Sequence, residues 1–577
     1  LKNERGSSLL TVLLITIIFT VLGLAILSAA IGGAQRTEAR KDEVELAAQA
    51  AAVMNESIAH LSQELAVNQL FYLTDEKLIN IDSYLSPLLQ ELRGRGMNIK
   101  DISSSHYHIQ PSQTFTRVYE FSYTAKRKQG EGGERSKTMK RTVFLSPTPS
   151  FLRYAVGSGP QGTLLLQGAS EINGNVFSHT LLSNNTAMYK DGASTQLNQI
   201  SSSDTLYPRI FGEVLLKDNL NGLKNFQDAS LLNFFDEDSK VIISRDVNDY
   251  MEVNFGKTLL QLLTKISGGS VILKESDFQD HNLPFVIEKL IEPCKAALSQ
   301  HMLNKSSPLN SCTRFTMIEP GLNYRDIENI SNQSAKSVLY ANLEVSPAGT
   351  LSVKNHQAGD YPPLYIKGNL KLHPQAWLIV HGDLEIQPQS GRPIEIDGNI
   401  LVTGNLRIKG DTVDDRSQPE KTEDDEVQFD STVYVLGQSE ISNTNIKGID
   451  SSQLVLMSRK DLMITRINEF KDIGADTITP LKAFFYTEGK AELYGVGSLF
   501  QIDGGIFARD MLTINSIRQN KVARSNRLGS NIVPRNAQQG QQSRFSVTHD
   551  LSVLLNQLDA LPRVDRYQIL LEDPIIE

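Results

Sequence analysis

The run LLTVLLITIIFTVLGLAILSAAI, from Leu9 to Ile31, contains no charged residue, and no other feature constrains the chain as strongly. Its 23 residues, wound as a helix, reach about 35 Å, enough to cross a hydrocarbon core about 30 Å thick. It is longer than the roughly 7–15 apolar residues of a secretory signal, so retention as an anchor is expected, with Leu9, Leu13, Ile17, Leu24 and Ile31 among the lipid-facing residues. Lys2 and Arg5 precede the run and Arg36, Arg40 and Lys41 follow it, which leaves the charge rule for orientation balanced. The long polar remainder, with no second run of this kind, is expected to lie outside the cytoplasm of a bacterial cell as the body of a single-pass cell-membrane protein.

Composition agrees with that division. A chain of 577 residues exceeds what one core usually serves, so two or three folding units are expected besides the anchor. A mean hydropathy of -0.24 describes a soluble body. The net charge of -9 argues against a dedicated nucleic-acid binder, and no specific nucleic acid is expected as a partner. Cys294 and Cys312 are too few for a disulfide scaffold; they are left open between one bridge and two buried thiols.

After the anchor, residues 34–65 lack Pro and Gly, and Val44, Ala47, Ala51, Met54, Ile58, Leu61 and Leu65 recur in alternating steps of three and four. That spacing predicts a helical stalk with one narrow stripe for a partner helix or for the chain's own body. A short polar leader ending in Gly6, the apolar helix and the Ala-rich continuation EVELAAQAAAVMNESIAHL together resemble the N-terminus of type IV pilin-like proteins, particularly PilX-like pilus-assembly proteins. The resemblance implies cutting by a prepilin peptidase between Gly6 and Ser7, and contact of the retained helix with pilin-like or other envelope proteins. Ser7 and Thr11 stand where major pilins carry Phe and Glu.

The remainder reads as α+β. Alternating runs such as RVYEFSYTAKRK predict a small β meander over 98–156, following the 34–97 stalk, with a basic hairpin end read as solvated or as a contact for anionic polymer or lipid headgroups. Short β runs punctuated by Gly-Asn and Gly-Asp at Gly368, Gly382, Gly398 and Gly404 predict stacked coils of a parallel β-helix or solenoid over 334–516, with first coils at 157–185. In layout this is similar to bactofilin-type β-helices. A mixed α/β insertion is expected at 186–333, an acidic loop at 411–427, a polar basic loop at 517–544, and a C-terminal segment at 545–577.

No phosphate loop, zinc helix, Cys-x-x-Cys pair or nucleophile elbow is present, and no cofactor or metal is expected. His106 and His108 alternate on an expected strand, where surface positions explain them better than metal binding. Asp383, Asp397 and Asp503 are the carboxylates a polysaccharide lyase or hydrolase would need, although turn bonding already accounts for the first two. The reading is a noncatalytic, membrane-anchored pilin-like protein of an assembly or secretion apparatus; the alternatives are a membrane-tethered β-helix scaffold or surface-polymer binder and, third, the lyase.

Overall fold

The computed structural model describes residues 5–67, 81–107, 109, 116–129, 133–190, 200–225, 230, 233–245, 250, 252–256, 258–259, 315–318, 339–341, 364–366, 368–372, 377–380, 383–388, 393–410, 425–468, 471–474, 480–520, 523–524, 532–533, 541–550, 561–562, 564, 567–572 and 574–577. Two compact units result, one from Leu1–Pro147 with Asp565–Glu577 and one from Thr148–Val564. Cys294 and Cys312, His108, residues 411–424 of the acidic loop and residues 260–314 of the expected mixed insertion lie outside the described residues.

In the smaller unit an antiparallel sheet runs in the order Asn98–Asp101, Arg117–Gln129, Gly133–Ser146 and Gln568–Leu571, with Ile575–Ile576 also pairing to Met139 and Lys140. Alternation decides which face it buries. Tyr119, Phe121 and Ala125 of one strand share a core with Met139, Val143 and Leu145 of the next, and the helices Arg5–Val67 and Ile81–Gly94 supply the other half of that core. Arg117, almost fully buried, donates from Nε and Nη2 to the two carboxylate oxygens of Asp82 at 2.6 and 2.8 Å, which ties the start of the second helix to the sheet.

The larger unit is built from short strands in parallel register. Leu384, Leu406, Ser439, Leu462, Ala491, Leu512, Leu164 and Leu181 occupy one continuous row across successive strands. Strands such as Leu406–Lys409, LRIK, point Leu406 and Ile408 inward and Arg407 and Lys409 outward, so a period of two creates the core. Turns are held by the residue after each repeat glycine. Asn369, Asp383, Asn399 and Asn405 accept from the backbone N–H groups of Glu395, Asn405, Thr432 and Gln438 at 3.0, 2.7, 3.0 and 2.9 Å, each bond joining one turn to the next.

The expected parallel β-helix or solenoid is corrected by the strand connectivity: the hydrogen-bonded path closes into a barrel. Two details produce the closure. Long strands serve two neighbours on one side: Asp425–Val435 pairs through its first half with Ile394–Asp397 and through its second with Asn399–Val402. In addition, strands at 156–184 are not an initial stack, because Val156–Ser158 pairs with Phe500–Ala508 and Thr163–Gly168 with Met511–Ser516. Glycine punctuation reports tight turns and short strands but carries no information on which strand is the next neighbour, so the bactofilin-like layout inferred from it does not hold. Arg209–Leu220 and Lys240–Arg245, from the stretch expected as an insertion, join the same parallel sheet.

The outward side is also apolar in one place. Tyr434, Met457, Tyr486, Phe507, Gly157 and Phe177 form a row on neighbouring strands. Phe151 packs on it 4.5 Å from Tyr486, and Tyr250 lies 4.5 Å from Phe177, ring centroid to centroid. Phe151 belongs to the 3-10 helix Ser150–Arg153, so short surface segments cover this row within the unit itself.

Candidate functional site: the N-terminal helix

One helix, Arg5–Val67, carries the apolar run and the stalk without a break. Among the described residues it is the one helix long and apolar enough to cross a membrane, and its apolar window is wholly unburied. Its large side chains between Leu9 and Ile31 range from 45% exposed at Ile15 to 75% at Leu9; Leu13, Ile17, Leu24 and Ile31 fall within that range. Exposure on this scale is unfavourable in water, at about 25 cal/mol for each Å² of apolar surface, and suits a lipid environment. Two of its hydroxyls bond inside the helix: that of Thr16 donates to the Val12 carbonyl at 2.8 Å and that of Thr20 to the Thr16 carbonyl at 2.7 Å. The backbone of Gly6 and Ser7 lies in the first turns.

Beyond Ile31 the helix changes character. Leu46, Ala50, Met54, Ile58, Leu61 and Leu65 are buried in the core of the smaller unit, whereas Val44 is 69% exposed and Ala47 and Ala51 are half-buried. Of the expected seam, Met54, Ile58, Leu61 and Leu65 thus face the chain's own sheet and second helix. Asp42, buried at the edge of this contact, accepts from Arg127 at 2.9 Å and from Arg135 at 3.2 Å, and Glu45 accepts from Arg127 at 2.8 Å. Farther along, Arg141 Nη1 donates to Asn55 Oδ1 at 3.5 Å, and His60 Nε2 sits 3.0 Å from Glu91 Oε1. Hydrogen bonds from His60 and then Arg95 hold the Glu91 carboxyl below its ordinary range.

The carboxylates considered for sugar chemistry have structural surroundings. Asp383 bonds the Asn405 backbone, Asp397 pairs in register with Lys371 and Asp430, and Asp503 with Lys482 and Thr548. Burial and the nearby Asp550 raise the Asp503 pKa against the opposing charge of Lys482. His106 is in the helix Ser103–Tyr107 and not on the expected strand; Ser105 Oγ lies 3.0 Å from its Nδ1. Among the described residues no group of three or more His, Cys, Asp or Glu side chains is placed to hold a metal.

Two arginines at the ends of the basic stretch 517–544 have roles that no sequence pattern announces. Arg544 is fully buried and donates to the carbonyls of Ser498, Lys471 and Gly497 at 3.2, 3.0 and 3.1 Å, and burial pushes its pKa down to about 10. Arg518, also buried, donates to Asp236 at 2.7 Å.

No protein family matches the chain, and no curated protein matches it. Among solved structures it is similar to the competence-associated pilin ComZ from Thermus thermophilus, at 11% identity over 83% of this chain and 88% of that chain, with a TM-score of 0.28. A likeness of that size carries no argument about fold or function. The pilin-like and bactofilin-like resemblance read from the sequence is corrected accordingly: no family is established for the chain, and its β body is a closed barrel.

Proposed function

We propose that the protein works without catalysis as a single-pass, membrane-anchored component of a cell-envelope assembly of pilus-like or secretion-like kind, with the body on the extracytoplasmic side. The observation that carries this reading is the unburied apolar run Leu9–Ile31, continuous with a stalk that is firmly packed into a folded unit. Side chains of a lipid-embedded helix can pack against other single-span helices while the stalk holds the smaller unit beside them. Gly6 is the proposed processing residue and Ser7 the resulting N-terminus, with a prepilin-type peptidase as the enzyme.

The test is photo-crosslinking from Leu24 in native membranes. Adducts with other single-span envelope proteins are expected, and Gly6→Val should abolish them while leaving membrane insertion intact. Adducts with lipid alone in the native cell would overturn the assembly reading and leave a plain anchor.

A further inference from the structure

His549 ends the strand Phe545–His549 of the larger unit, in register with Gly504, and its Nε2 lies 3.0 Å from the carbonyl oxygen of Leu152, 397 positions away in sequence. A carbonyl only accepts, so Nε2 carries the proton in the neutral ring. Leu152 belongs to the 3-10 helix Ser150–Arg153, whose Phe151 packs on Tyr486 and Phe507 of the outward aromatic row at 4.5 and 6.0 Å. One hydrogen bond thus ties the cover of that row to a strand remote in sequence.

Gly174 makes room for the histidine: a Cβ there, at φ +139°, would stand 2.7 Å from His549 Cβ and 3.0 Å from Ala155 Cβ. Burial at this place lowers the affinity of the ring for a proton, against the Leu152 carbonyl and the charge of Asp550, which raise it. Each element around the ring brings its own charges. The chain after the strand carries Asp550, and Phe500–Ala508 carries Asp503, opposite Thr548 and beside Lys482. Glu171 of Glu171–Asn173 stands opposite Ser546, and Arg153 of the 3-10 helix lies 6.0 Å from the Tyr154 ring. Asp503, whose pKa burial and Asp550 raise, is the competing group for any titration at acid pH.

We propose that His549 is an acid-released latch: its neutral form holds the 3-10 helix Ser150–Arg153 closed over the aromatic row, and its protonation frees that cover and bares Tyr486 and Phe507. The sign follows from burial. An imidazole whose folded pKa lies below the free value near 6.5 contributes stability that is complete above about pH 6.5 and is lost as pH falls from there through the folded pKa. The closed cover excludes the proton, and the open one admits it.

The test is amide hydrogen exchange of the full-length protein in nanodiscs at about pH 7.5 and about pH 5.5, each rate corrected for the intrinsic pH dependence of exchange. The cover supplies its own reporters: the N–H groups of Leu152, Tyr154 and Ala155 donate to the carbonyls of Pro149, Phe151 and Asn175 at 3.3, 3.2 and 2.8 Å. Their protection should fall at least ~3-fold at the lower pH, while that of the strand Leu454–Ser458 in the same unit is unchanged. His549→Gln keeps a donor for the Leu152 carbonyl but cannot titrate, so its protection should be the same at both pH values. Equal protection at the two pH values in the unsubstituted protein overturns the latch, and that arm needs no variant. An equal fall in Leu454–Ser458 overturns it too, since that is general acid unfolding. A pH dependence that survives in His549→Gln overturns it as well, and its loss in Asp503→Asn would assign the titration to that carboxylate.

Discussion

At Gly504 the chain turns within Phe500–Ala508, at φ +141°, and a Cβ there would collide with the carbonyl oxygen of Ala483. Conformation and space both demand glycine, so Gly504→Ala should lower the stability of the larger unit by roughly 2–4 kcal/mol, read as a fall in thermal midpoint. A midpoint equal to the parent's would remove this account. Asp236 offers a different handle. Burial pushes its carboxyl up, but bonds from Arg518, the Asp238 backbone and Arg209, together with the charge of Arg518, prevail, and the net shift is downward. A folded pKa below the unfolded value near 3.9 gives stability that is complete above about pH 4 and is lost as pH falls through the folded pKa. Acid unfolding of the full chain should therefore be shallower below about pH 4 in Asp236→Asn, which should also be less stable at neutral pH. How much was legible differs between these residues. The Gly-Asn and Gly-Asp turns announce themselves because glycine and a short side-chain acceptor are rare together outside turns. Arg518 and Arg544 sit in a stretch that reads as solvated because nothing local reveals the buried carboxylate and carbonyls that receive them.

The stalk shows the same limit at the scale of an element. Helix formation was legible from the absence of Pro and Gly and from the repeating apolar positions, and from Met54 onward the expected stripe coincides with the buried one. Before Met54 the alanines at 47, 48, 50, 51 and 52 are alike in size and hydropathy, and only the sheet, formed by residues beyond 98, selects Leu46 and Ala50. The selected positions advance by fours through Leu46, Ala50, Met54 and Ile58, a row that drifts slowly around the helix as it follows a twisted sheet. Truncation therefore discriminates. Leu61→Ala should cost about 2–5 kcal/mol and loosen the stalk, seen as faster amide exchange in 54–65, whereas Val44→Ala should change exchange there little. Comparable effects at both positions would mean that Val44 is covered in the working assembly.

For the whole molecule, sequence patterning identified an apolar helix of membrane-spanning length, a helical stalk and a β body, but the barrel's closure depends on pairings between residues hundreds of positions apart, such as Met511 with Thr163, which no local pattern encodes. The apolar run is the part whose consequences can be reckoned from composition. Leu9–Ile31 holds fifteen Leu, Ile, Val and Phe residues. At about -0.3 to -0.6 kcal/mol each near the bilayer centre, and less toward the ends, they favour insertion by roughly 4–8 kcal/mol. One arginine at the centre costs about 3 kcal/mol and also forfeits the residue it replaces, which leaves a favourable balance. Two bring the balance to about zero or beyond. The full-length protein should accordingly remain with membranes through alkaline carbonate extraction, as should Ile17→Arg in large part, while Ile17→Arg combined with Val21→Arg should be released. Quantitative release of the parent protein would show that the helix is not held in lipid, and retention of the double variant would show that contacts outside Leu9–Ile31, rather than its apolar surface, hold the protein to the membrane.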